Sequence, residues 1–168
     1  MARLHAQPIC LASALAVPAL TLAQPTWLTL SGVPPSWVVV WLLPWSLVDG
    51  PVSGVIAAVA MGLVLDGLGS DGLTQLPVLV LLGWWWGRLG RRGQPIQRSL
   101  NLGVLAWIGA MVLNLSFWLQ LRLVYGLDAS LLQHWAWQRC LAQALITGLV
   151  APMLVSWQLL LWRRRAPG

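Results

Sequence analysis

The sequence has no lysine and no glutamate: its ten basic residues are all arginine, and its four acidic residues are Asp49, Asp66, Asp71 and Asp128. Without lysine there is no Schiff-base amine, and no two carboxylates stand at a spacing suited to general acid and base work. Charge is scarce altogether. Only 8% of side chains are charged, against roughly a quarter in a soluble domain, so there is too little polar surface to clothe a water-soluble globule. The two histidines, His5 and His134, fall in no HExxH or other metal-ligand spacing. Cys10 and Cys140 lie in apolar stretches without CxxC spacing, which suits packed thiols better than a disulfide or a metal site. No serine occupies a GxSxG elbow. An enzyme would have to be built from Asp, Arg and His alone, so the chain is read as non-enzymatic, with no cofactor and no metal.

What is present is apolar. Hydrophobic residues make up 58% of the 168 and the mean hydropathy is +0.75. Long apolar runs recur along the whole length, which points to a single polytopic membrane domain over 1–168. A net charge of +6 could suggest nucleic acid, but a nucleic-acid face interleaves Arg with polar residues on a soluble surface. Here the arginines stand at the ends of apolar runs, which is the positive-inside pattern of a membrane protein, whose partners are lipid and other proteins. The thirteen tryptophans, many near run ends (Trp27, Trp37, Trp84, Trp85, Trp86, Trp135, Trp137, Trp162), suit interfacial belts rather than a platform for bases.

The first apolar stretch covers 7–30, interrupted by Pro8, Pro18 and Pro25. Residues 1–24 also imitate a signal peptide; a retained first span is expected, because more apolar sequence follows at once and a retained span completes the charge pattern. After a turn at 31–35 come two short runs, 37–48 and 52–65, split by Asp49-Gly50-Pro51. Twelve to fourteen helical residues cover only about 18–21 Å of a core about 30 Å thick, so they are either two short tilted crossings, the reading preferred here, or a re-entrant pair. A loop at 67–74, an apolar run at 75–87, a basic loop at 88–98, a span at 100–124, a loop at 125–134 and a span at 135–162 complete the chain. Pro152 is an expected kink. The fold expected is an all-α membrane bundle of about six transmembrane helices, or five. With six crossings and both termini cytoplasmic, Arg3, the four arginines of 88–98 and Arg163 to Arg165 fall inside, and Arg122 and Arg139 are the exceptions.

Small residues recur every fourth position at Gly50, Gly54, Ala58 and Gly62. Residues four apart are neighbours on a helix, so these form one shallow groove that another helix can approach closely. The groove serves either packing within the protein, the preferred reading, or a partner's helix. Gly83 and Gly87 offer a second, weaker seam. Asp66 closes the run, and a carboxylate near lipid needs a partner or water. Arg122, on the face that carries Asn114, and Arg139, on the stripe with Gln143 and Thr147, stand on the same expected outer side. The two readings are a polar cluster of Asp66, Arg122 and Arg139, or three charges solvated separately at the interface. Residues 67–72 match GxGxxG letter for letter, but a helical run precedes them where the dinucleotide fingerprint needs a strand, so they read as a tight turn.

Residues 49–73 resemble the signature of the rod shape-determining MreD family: a Gly-rich short helix, then Gly-Leu-x-x-Asp as Gly62, Leu63 and Asp66, then a turn closing in Gly72 before an apolar span and a basic loop. Total length and the five or six short spans also suit that family, and the Trp-rich, Lys-free composition looks cyanobacterial. Where the family usually has Pro-Leu-Gly in the turn, this chain has Ser70-Asp71-Gly72. The specific match covers 49–92. The resemblance implies a non-enzymatic subunit of the cell-elongation machinery in the bacterial inner membrane, regulating cell shape and peptidoglycan synthesis. Its implied partners are MreC, the MreB filament and the peptidoglycan polymerase and transpeptidase. The family is similar in fold to the substrate-binding subunits of energy-coupling factor transporters, which supplies an alternative: a vitamin-binding subunit with its pocket on the outer side. A membrane hydrolase using Asp66 or His134 is a third reading.

Overall fold

The computed structural model describes residues 8–23, 28–69, 73–91, 99–125 and 129–164. They form six helices: α1 (Pro8–Ala23), α2 (Trp37–Asp49), α3 (Pro51–Leu68), α4 (Leu76–Arg91), α5 (Ser99–Tyr125) and α6 (Ala129–Arg164). The only β pairing among the described residues is one bridge between Leu30 and Val33. Ser31 and Gly32, both at positive φ, reverse the chain inside it, as a tight two-residue turn requires. Three helices are long and apolar enough to cross a membrane, at Pro51–Leu68, Asn101–Leu123 and Trp137–Leu160; Ala12–Ala23 and Trp37–Asp49 are shorter apolar helices.

α2 is the hub of the bundle and packs against all five other helices. Every residue from Val38 to Ser46 is buried, the expected state of a helix that is apolar on all sides. At 13 residues it is shorter than the roughly 20 that a lipid-facing span needs. Enclosure by protein removes that requirement, because its ends need not meet lipid. Gly50, at φ 94, joins α2 to α3 with Pro51 in the first turn of α3; a positive φ favours glycine there, and proline suits a helix start.

Several expected boundaries move. α3 continues to Leu68, so Asp66 lies in its last turn rather than beyond the helix. α4 runs through Arg88 to Arg91, absorbing part of the expected basic loop; arginine is a good helix former. α6 opens at Ala129, so most of the expected loop at 125–134 is helical. That stretch is less apolar than the runs beside it, yet it has no Gly or Pro after Gly126 to stop a helix. Gly72, Arg3, Arg92, Arg98, Arg165, His5 and Trp27 lie outside the described residues.

Candidate functional site

The small-residue ridge of α3 is filled by α4. A Cβ added to Gly54 would stand 2.6 Å from the backbone oxygen of Gly83, and one added to Gly83 would stand 2.5 Å from that of Gly54 and 3.3 Å from the Ala58 methyl. Along the antiparallel seam Gly62 abuts Leu76, Gly87 abuts Pro51, and Gly90 abuts Leu47 of α2. The two seams expected from sequence therefore face each other. Gly50 differs: its missing side chain leaves room for the Arg91 guanidinium, whose Nε would be 3.1 Å from a Cβ there. Such close backbone approach is how helices associate where burial from water gives no drive.

Asp66 stands where this seam ends. Its carboxylate accepts from the Thr74 hydroxyl (2.6 Å) and from the Gln75 backbone N–H (2.8 Å). Gln75 immediately precedes α4, and its carbonyl accepts from Leu79 N–H (3.1 Å), so Asp66 puts negative charge at the positive end of α4. Gln120 of α5 then clamps Thr74: its Oε1 accepts from Thr74 N–H (2.9 Å) and its Nε2 donates to the Thr74 carbonyl (2.8 Å) and to the Ser116 hydroxyl (3.1 Å). The result ties α3, the entry to α4, and α5 together.

Of the two readings, the cluster of Asp66 with Arg122 and Arg139 does not form among the described residues. Among the described residues no ion pair joins Asp66 to either arginine; the Arg122 guanidinium lies 5.3 Å from the Trp118 ring centroid, and Arg139 is exposed on α6. Asp66 is met instead by residues 74 and 75, which the short α3–α4 connection returns to the end of α3. Polar side chains on the stripes of those two arginines do meet. Asn114 Nδ2 donates to Gln143 Oε1 (2.8 Å), and Gln143 Nε2 donates to the Pro34 carbonyl (3.3 Å). The buried Thr147 hydroxyl accepts from Ser36 N–H (2.9 Å) while donating to the Gln143 carbonyl (2.6 Å). This second network pins the 34–36 segment to α5 and α6.

Of the residues on which the resemblance rests, Gly62 is buried in the seam, Leu63 is 60% exposed and Asp66 accepts from Thr74 and Gln75. Trp84 and Trp137 are exposed, as anchors would be, whereas Trp86 is fully buried. It lies on the inward stripe of α4 with Leu79, Leu82 and Gly83, and its ring fills the space that Gly109 of α5 leaves open. Among the described residues no group of three or more His, Cys, Asp or Glu is gathered as a metal site would be.

A third feature is a trough of about 690 Å³ between α1, α2 and α3. Its floor is the stacked pair Trp41 and Trp45, ring centroids 5.1 Å apart. The Trp41 indole N–H donates to the Ser13 hydroxyl (2.9 Å) and that of Trp45 to the Ser53 hydroxyl (3.1 Å), which itself donates to Asp49 (2.5 Å). Sequence patterning gave no sign of it, since three helices contribute to its walls. No protein-family model, curated protein or solved structure matches the chain.

Proposed function

We propose that the chain is a multi-pass, non-enzymatic subunit of the cell-elongation machinery in the bacterial inner membrane, with both termini cytoplasmic, acting through contacts with MreC, the MreB filament and the peptidoglycan polymerase and transpeptidase. One observation carries the reading: the Gly62-Leu63-x-x-Asp66 motif closes a small-residue ridge, and its aspartate organises the turn into the next helix. That gives each residue of the resemblance a physical task in this chain. Gly62 permits the close approach, Asp66 fixes the reversal, and Leu63 is left on the outer surface for lipid or a partner. The ridge itself is occupied by α4, so partner helices would meet other faces.

Affinity purification of the tagged full chain from gently solubilised bacterial membranes tests this. MreC is expected among the co-purifying proteins, and depletion of the chain is expected to round rod-shaped cells. Recovery of an ATPase cassette with a retained small ligand would instead establish the energy-coupling factor alternative.

A further inference from the structure

The trough between α1, α2 and α3 is apolar along its length and charged at one end. Leu15 and Pro18 of α1 form one wall, and Ile56, Ala60 and Val64 of α3 the other. Leu15 and Ile56 are 74% and 63% exposed, so the trough opens sideways, toward whatever surrounds the bundle. Both indole N–H groups of its floor are already engaged by Ser13 and Ser53, leaving an occupant's body nothing to hydrogen-bond there. The charged end carries Asp49 and Arg91. Arg91 is held over the α2–α3 junction by the space that Gly50 provides, and Asp49 is met by the Ser53 hydroxyl.

The body of the trough suits a slender apolar chain; at its end the Asp49 carboxylate is already met by Ser53, and the Arg91 guanidinium is the group that an anionic head would meet. We propose that the trough holds one acyl chain of a membrane glycerophospholipid, with the lipid phosphate against the Arg91 guanidinium, a pairing that guanidinium geometry favours. This site is independent of the elongation-machinery reading, because it rests on α1 to α3 and Arg91 alone.

The full chain in lipid nanodiscs, doped with a phosphatidylglycerol that bears a photoreactive diazirine midway along one acyl chain, is irradiated, digested and mapped by mass spectrometry. Adducts are expected at Leu15, Ile56 and Ala60 at several times the yield on the exposed α6 residues Leu149 and Met153. Ala60→Trp, at an exposed position, is expected to lower the trough yield to that of α6. Arg91→Gln is expected to lower phospholipid labelling severalfold while leaving labelling by a diazirine diacylglycerol, which lacks the phosphate, unchanged. Equal labelling of trough and α6, or an Arg91→Gln effect on both probes or on neither, would overturn the proposal. So would a co-purified protein whose removal is needed before the trough is labelled. Should Ala60→Trp not fold, the unmodified chain's adduct ratio and Arg91→Gln decide between these outcomes.

Discussion

Gly54 and Gly83 leave no room for a methyl group, since each faces the other's backbone oxygen at 2.5–2.6 Å from an added Cβ. Backbone cannot rotate away as a side chain can, so Gly54→Ala and Gly83→Ala are each expected to cost about 1–3 kcal/mol through overpacking. Gly67→Ala is the control: nothing lies within 4 Å of a Cβ there, and helix propensity favours alanine by about 0.5–1 kcal/mol. Reversible unfolding in detergent micelles should show the first two falling and the third unchanged or raised. Asp66 makes a second prediction at this scale. Asp66→Ala and Gln120→Ala each remove hydrogen bonds that converge on residues 74 and 75, at about 1 kcal/mol per lost bond. Because the two act through Thr74, the double variant should lose less than the sum of the singles. Arg122→Ala, at an exposed arginine stacked on Trp118, should change unfolding by no more than about 0.5 kcal/mol.

Helix by helix, the molecule divides into an enclosed hub and a periphery. Leu42, on α2, is fully buried, and Leu149, on α6, is 77% exposed. Membrane helices gain little from leaving lipid, so what a truncation removes is packing contact. Leu42→Ala is therefore expected to cost about 2–5 kcal/mol, while Leu149→Ala leaves the unfolding transition where it was. The crossings proposed for these helices carry their own check. Topology reporters fused after Gly50 and Gly93 should report the cytoplasm, and those after Gly72 and Asp128 the opposite side. Two consecutive fusion sites reporting the same side would establish that the intervening helix does not cross.

For the molecule as a whole, the legible part was whatever depended on composition and local period. The apolar runs located all six helices, because apolar length is a property of contiguous sequence. The ridge of α3 was visible as a four-residue repeat, and so was the weaker seam of α4. Helix ends were less visible, since Ser130, Gln133, His134 and the arginines of 88–91 read as loop by hydropathy although they lie in helices. Partners were least visible. Asp66 had two arginines to choose from by side and face, and the structure gives it Thr74 and Gln75 instead.

That this chain is helical and suited to lipid, that it has no lysine- or glutamate-based chemistry, and that small residues line one face of α3 could all be read from the linear chain. These follow from residue type and spacing, which need no third dimension. It took the packing of the helices to show that α4 fills that face, that α2 packs against the other five helices, that Trp86 is core rather than anchor, and that Trp41 and Trp45 floor an apolar trough ending at Arg91. Those depend on which helix lies beside which, and glycines that permit contact do not name the helix that makes it.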